Sequence, residues 1–236
     1  MLNHIIIKIK KYLSKRLVFS LFLLYNFING GNDMKKYRSL IIIGVIVLLI
    51  TGCKNVFTIE NEKEDINLLS GKHYVEISIK NYGKIEAELD ADIAPISVTN
   101  FIDLVNNKYY DGTKIHRVMK DFVIQGGIGE KEAKTIKGEF KANGKENSIS
   151  HVRGTLSMAR AGDAQSGFDT GSSQFFIVHK DSTFLDDYYA GFGKVTKGME
   201  VVDKICNKVT NVDEDSGAVL DEKDMPVIEY IKVIEK

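Results

Sequence analysis

The sequence predicts a mainly β domain, a closed barrel or sandwich whose open ends are covered by helices. Two observations indicate this fold class. From about residue 72 onward, many short segments alternate apolar and polar side chains, which is the period of a half-buried strand. Only two segments have the apolar spacing of a helix. Many short strands with two helices are typical of barrels and sandwiches.

The first predicted elements are a hairpin and a helix. Val75, Ile77 and Ile79 alternate with polar residues, and the alternation resumes at 85–89 after a turn that contains glycine. Pro95 then fits the first turn of a helix, because proline has no N–H to lose there. Apolar residues follow it at i, i+3, i+4 and i+7, as one stripe for a core: Val98, Phe101, Ile102 and Val105.

Shorter strands make up the rest of the predicted domain. We expect them at 113–118, 122–125, 154–160, 174–179 and 191–195, with a last strand at 227–234. A second helix is expected from about 197 to 207. Cys206 falls within that helix and is most simply a small core residue.

Composition excludes several function classes. The 32 basic and 32 acidic side chains give a net charge of zero, so nothing favours nucleic acid as a partner. The five histidines lack the spacing of a metal site, and no G-x-S-x-G elbow is present. The glycines at 126–129 lack the helix and lysine of a phosphate loop. We therefore expect neither a metal nor a cofactor.

An ordered series of motifs carries the functional signal. The segments read IHRV at 115–118, FVIQGG at 122–127, GTLSMAR at 154–160, SQFFI at 173–177, FLD at 184–186 and FGKV at 192–195. In order and spacing this series resembles the cyclophilin family of peptidyl-prolyl cis–trans isomerases, over about 160 residues. The resemblance implies an eight-stranded antiparallel barrel capped by two α-helices. It also implies an enzyme that accelerates rotation about Xaa–Pro bonds in proline-containing polypeptides.

Roles for individual residues follow from the same resemblance. It implies that Arg117 donates a hydrogen bond to the twisted prolyl amide, with Phe122 and Gln125 as the other catalytic positions. The substrate-binding positions that it implies are Val123, Ala159, Arg160, Gln174, Phe176, Phe184, Leu185 and Tyr189. Alternation along a strand predicts that Phe175 points away from Phe176, into the barrel.

The chain departs from the family pattern around this site. Phe184 stands where many eukaryotic members have tryptophan, which leaves tight cyclosporin binding an open question, and Tyr189 aligns with a histidine. The dipeptide at 120–121 replaces the usual Pro-Gly. The loop Gly162–Ser172 is longer than usual, and within it Phe168 is either an added contact at the rim or an exposed residue without a role.

The N-terminal region predicts a lipid anchor. Residues 34–53 combine a basic start, an apolar run and the ending Ile-Thr-Gly-Cys, which resembles a bacterial lipobox. That resemblance implies acylation of Cys53 and attachment to the cell membrane, facing outside the cytoplasm; the alternative is an uncleaved anchor. The polar residues 54–71 read as a flexible linker, with a reach on the order of 20–25 Å. The isomerase domain then occupies 72–236.

Residues 1–33 precede this signal and need a separate account. We prefer Met34 as the true start, with 1–33 as translated leader sequence; the alternative is an additional hydrophobic anchor.

Two further functions compete with the enzyme, namely a tethered module that captures proline-containing segments and a structural surface lipoprotein. A monomer is expected, because no coiled-coil pattern is visible.

Overall fold

A computed structural model describes residues 67–161 and 167–236, and the structural statements below refer to these ranges. Cys53, the predicted signal, residues 54–66 of the predicted linker and part of the loop Gly162–Ser172 lie outside them. The last linker residues, 67–71, lie within them and are bonded to the domain, since the N–H of Leu69 donates to Thr99 and that of Gly71 donates to Asp92. Within the described ranges no helix has the length and apolar character needed to cross a membrane.

Those ranges contain eight strands and two long helices. In chain order they are β1 Lys72–Ile79, β2 Gly83–Asp90, α1 Pro95–Asn106, β3 Lys114–Met119, β4 Val123–Ile128, β5 Thr155–Met158, β6 Phe175–Val178, β7 Gly191–Lys197, α2 Met199–Lys208 and β8 Ile228–Ile234. The predicted fold class is confirmed. Each element lies where its pattern indicated, and the ends differ by up to about three residues.

The strands form one curled antiparallel sheet, in the order β3-β4-β6-β5-β7-β2-β1-β8. Its two end strands approach each other where β8 begins. The backbone N–H of Ile115 donates to the carbonyl of Pro226, and that of Gly112 donates to the carbonyl of Ile228. The N–H of Ile228 in turn donates to the carbonyl of Thr113. These bonds join the two ends of the sheet and protect the edge of β3.

Helix α1 contributes the predicted apolar stripe to the core. All four residues of that stripe, Val98, Phe101, Ile102 and Val105, are buried. The ring of Phe101 meets that of Phe175 edge-on, with centroids 5.3 Å apart. The first turn of α1 is fixed by the buried side chain of Glu139, which accepts the backbone N–H groups of Ile96 and Ser97. A carboxylate in that place satisfies N–H groups that have no partner within the helix.

Helix α2 begins after Gly198, whose positive φ of 92° and close contact with the carbonyl of Lys84 both require glycine. The helix buries Val201, Val202, Ile205 and Cys206 in the same core. The prediction of a core cysteine is confirmed, and burial raises the pKa of Cys206 to about 11.

Candidate active site

The site is built on a row of residues that runs across four strands. Arg117 on β3 pairs with Gln125 on β4, Gln125 pairs with Phe176 on β6, and Phe176 pairs with Ser157 on β5. Directly paired residues point to the same face of a sheet, so this register brings the predicted residues together. The neighbouring Phe175 packs in the main core, whereas Phe176 belongs to a separate apolar cluster. Their predicted opposite orientation is confirmed.

A cavity of about 170 Å³ opens on this face. It is lined by Arg117, Phe122, Val123, Gln125, Ala159, Arg160, Phe176, Leu185 and Tyr189. Every lining residue belongs to the set that the resemblance implied. The lining therefore combines apolar side chains with the polar groups of Arg117, Gln125, Arg160 and Tyr189.

The remaining two implied substrate-binding residues lie beside the cavity. Gln174 accepts a hydrogen bond from Nε2 of Gln125 at 3.0 Å, so it orients the Gln125 amide. Phe184 is 68% exposed and stacks on Phe122, with centroids 5.8 Å apart and an interplanar angle of 17°. It extends the apolar surface beyond the cavity mouth.

The guanidinium group of Arg117 has three contacts that fix its plane. Its Nη1 donates to Oε1 of Gln125 at 3.2 Å, and its Nε donates to the backbone carbonyl of Ser216 at 2.6 Å. Its central carbon lies 5.5 Å from the centroid of the Phe122 ring. Burial lowers the pKa of Arg117, but a guanidinium remains protonated at neutral pH. Ser216 was not among the predicted residues.

Behind the cavity lies a buried polar network that the sequence did not predict. His151 is fully buried; its Nδ1 lies 2.8 Å from Oδ1 of Asp186, and its Nε2 lies 2.9 Å from Oγ of Ser157. Because a carboxylate accepts, we assign the proton to Nδ1, and Nε2 then accepts from the Ser157 hydroxyl. The imidazole stacks on Phe176, with centroids 5.9 Å apart and planes 24° apart. Burial lowers the pKa of His151, although Asp186 opposes this effect.

A cluster of rings holds the opposite edge of the cavity. The guanidinium carbon of Arg160 lies 4.8 Å from the ring centroid of Tyr189, 5.4 Å from that of Phe168 and 5.6 Å from that of Phe140. Phe168 also meets Phe140 edge-on, with centroids 5.5 Å apart. Phe168 thus packs against Arg160 at the rim, and it supports the segment that the resemblance assigns to peptide binding.

A second cavity, of about 560 Å³, lies near the β1–β2 turn. It is lined by residues 80–82, 208–211 and 223–227. Among them Asn211 donates to Asp224 at 2.8 Å, and Lys223 pairs with Asp221, outside the lining, at 2.7 Å. None of the predicted site residues lies there. Within the described ranges no group of three histidine, cysteine or acidic residues is placed to hold a metal ion.

Comparison with known proteins agrees with this geometry. The family model "Cyclophilin type peptidyl-prolyl cis-trans isomerase/CLD" matches residues 74–231. The chain is 43% identical to peptidyl-prolyl cis-trans isomerase A of Dickeya dadantii over 162 residues, which are 65% of this chain and 81% of that protein. It is 41% identical to peptidyl-prolyl cis-trans isomerase B of Bacillus subtilis over 130 residues, which are 55% of this chain and 87% of that protein.

Solved structures show the same fold. A cyclophilin-type isomerase of Cryptosporidium parvum superimposes with a TM-score of 0.59 at 28% sequence identity, covering 70% of this chain and 99% of its own. The same protein solved in the presence of the dipeptide Ala-Pro gives a TM-score of 0.58, also at 28% identity, and covers 69% of this chain and 99% of its own.

Proposed function

The chain belongs to the cyclophilin-type peptidyl-prolyl cis–trans isomerase family and is a peptidyl-prolyl isomerase, and we propose that Arg117 supplies its decisive catalytic hydrogen bond. The observation that carries this proposal is the fixed guanidinium of Arg117 at the edge of an apolar cavity. The substrates are proline-containing polypeptides, and the Cryptosporidium protein was likewise solved in the presence of the dipeptide Ala-Pro.

The chemistry needs a donor but neither a base nor a nucleophile. Rotation about an Xaa–Pro bond has a barrier of about 18–20 kcal/mol, because the amide resists twisting. At the twisted geometry conjugation is lost, and the proline nitrogen carries a lone pair that can accept a hydrogen bond. A donor aimed at that nitrogen stabilises the twisted state more than either planar state, which is the condition for catalysis.

Arg117 is suited to this task. Its guanidinium is planar and permanently charged, and two of its five N–H groups are held by Gln125 and Ser216. The apolar walls formed by Phe122, Phe176 and Leu185 would hold the pyrrolidine ring beside it. A peptide bound there would displace water from the guanidinium, and the hydrogen bond would then be stronger than in solvent.

The experiment compares isomerisation of an Ala-Pro-containing peptide by residues 54–236 and by the variant Arg117→Ala. A segment of this kind can be studied alone, because it matches 99% of a solved chain. Loss of a charged donor from the twisted state should lower kcat/KM by roughly 10²–10³-fold. Lys120→Ala removes an exposed cation from the adjoining turn and should leave the rate unchanged. Equal rates in the wild type and Arg117→Ala would refute the proposed role.

We further propose that the enzyme is attached to the outer side of the cell membrane through a fatty acid on Cys53, where it acts on proteins that fold there. The support for this is the lipobox-like sequence and the polar linker that follows it. More than one acyl chain would be needed for stable attachment. Labelling cells with a fatty acid tests the anchor, because label should enter the wild type and not Cys53→Ala. Label in both proteins would contradict it.

A further inference from the structure

The turn 213–217 lies directly against the strand that carries Arg117. The N–H of Asp213 donates to the carbonyl of Ala218, and the N–H of Gly217 donates back to the carbonyl of Asp213, both at 2.8 Å. The carbonyl of Gly217 then accepts the N–H of Val118, the residue after Arg117, at 2.8 Å. The turn and the catalytic strand are therefore joined by backbone hydrogen bonds at the site itself.

The side chain of Asp213 closes this turn. Its Oδ1 accepts the backbone N–H of Ser216 at 2.8 Å and the Ser216 hydroxyl at 2.7 Å. These two bonds fix the position of Ser216, whose carbonyl is the acceptor for Nε of Arg117. Gly217 follows with a positive φ of 73°, and a Cβ there would lie 3.0 Å from Cβ of Met119. The turn can thus approach β3 closely only with glycine at this position.

We propose that Asp213 is a positioning residue for the isomerase reaction, acting through the Ser216 carbonyl to fix the rotation of the Arg117 guanidinium. A planar group held only by Gln125 could pivot about that single bond. A second bond, at Nε, fixes the plane of the guanidinium, so the N–H groups that neither bond uses keep one direction. This inference rests on the proposed role of Arg117.

Geometry and charge make different predictions here. Asp213 is followed by two more exposed acidic residues, Glu214 and Asp215, so the turn also carries negative charge near Arg117. If charge were the important property, each acid would contribute. If the turn geometry matters, only Asp213 should, because its carboxylate binds Ser216, whereas Glu214 has no side-chain hydrogen bond or ion pair within the described ranges.

The experiment measures kcat and KM separately for residues 54–236 and for matched variants. Asp213→Ala should lower kcat by roughly tenfold or more, with KM within about twofold, because the donor is misaimed while the binding walls remain. Asp213→Asn keeps an oxygen that accepts from Ser216 and should restore most of kcat. Glu214→Ala removes the same charge and should behave as wild type. Ser216→Ala, which removes one of the two bonds, should give an intermediate fall and carries the test if Asp213→Ala does not fold.

A double-mutant cycle identifies the route of the effect. In an Arg117→Ala background the Asp213→Ala change should have no further effect on kcat. The proposal is overturned if Asp213→Ala keeps the wild-type kcat, or if Glu214→Ala lowers kcat as much as Asp213→Ala does. It is also overturned if the effects of Arg117→Ala and Asp213→Ala on kcat are additive. These outcomes are distinct from failure of the proposed function, in which Arg117→Ala alone would leave the rate unchanged.

Discussion

Replacing His151 by phenylalanine separates the two contributions of this residue behind the active-site cavity. The imidazole stacks on Phe176, and both of its nitrogens are hydrogen-bonded, to Asp186 and to Ser157. Phenylalanine fills the same place and keeps the stack, but it cannot hydrogen-bond. We therefore expect His151→Phe to lower the free energy of unfolding. The shape of the cavity wall should stay the same, so the isomerase rate, measured well below the unfolding temperature, should change by no more than about threefold.

The size of the effect follows from burial. Ser157 is fully buried, so its unpaired hydroxyl costs about 1–3 kcal/mol. The Asp186 side chain is 32% exposed and keeps its bonds from Ser150 and from the backbone of residue 151. Losing the hydrogen bond from the imidazole should therefore cost only about 0.5–1.5 kcal/mol. With about 1 kcal/mol for the larger ring, the free energy of unfolding should fall by about 2.5–5.5 kcal/mol. The midpoint of thermal unfolding would then shift down by about 5–20 °C.

The dependence on pH gives an independent check. The pKa of His151 in the folded protein lies below its ordinary value of 6.5, so the unfolded chain binds a proton first as the pH falls through 6.5. The wild type should lose stability from about pH 6.5 downward, until the folded pKa is reached. Asp186 faces Nδ1, and bonds from residues 150 and 151 outweigh its burial and lower its pKa, so it stays ionised in this window. Tyr189 contacts the imidazole edge-on.

Thermal unfolding monitored between pH 5 and 8 measures both effects. His151→Phe should show a lower midpoint at pH 8 and a weaker loss of stability between pH 6.5 and 5 than the wild type. His151→Ala, which also removes the stack on Phe176, should lower both stability and the isomerase rate. An unchanged midpoint in His151→Phe, or an equal loss of activity in the two variants, would refute this account of the network.

Three further predictions concern other parts of the domain. The pKa of Glu76 is lowered from 4.5 to about 2, chiefly by its hydrogen bond from Lys84. Glu76→Gln should therefore lower the free energy of unfolding by about 1–2 kcal/mol at pH 7, a figure reduced for solvent screening. In unfolding scans this difference between wild type and variant should vanish as the pH falls from 4.5 to 2. The Cys206 thiol, with its pKa of about 11, should react with a thiol reagent only on unfolding; rapid labelling of the native protein would contradict this. Phe168→Ala removes one of the rings that hold Arg160, so KM for peptide should rise several-fold with little change in kcat; an unchanged KM would show that the ring does not support the site.

Local patterns in the sequence were sufficient for the elements of the fold, whereas most of the cavity residues were predicted through the resemblance of the motifs to the cyclophilin family. Alternation placed the first hairpin, and the spacing of Val98, Phe101, Ile102 and Val105 placed α1, because half-buried strands and helices impose these periods on their own residues. The alternation of side chains along a strand also predicted that Phe175 and Phe176 point to opposite faces of the sheet. Strand ends were less exact, since a strand ends where its partner does and not where its own alternation ceases.

The supporting contacts of the site could not be predicted in the same way. His151 and Asp186 are 35 residues apart, and each alone looks like an ordinary polar residue; only the closed sheet brings them together behind Phe176. The acceptor for Nε of Arg117 is a backbone carbonyl, 99 residues away in sequence, and every residue type has one. Side-chain motifs carry no information about such a bond.

The most direct test of the central claim measures binding and catalysis on one sample. NMR line shapes of an Ala-Pro-containing peptide, titrated with residues 54–236, give both the dissociation constant and the rate of exchange between bound cis and trans forms. For Arg117→Ala we predict an exchange rate at least roughly 100-fold lower, with the dissociation constant within about threefold of wild type, because the donor acts on the twisted state. An exchange rate equal to wild type, or a slower rate explained entirely by weaker binding, would contradict the account.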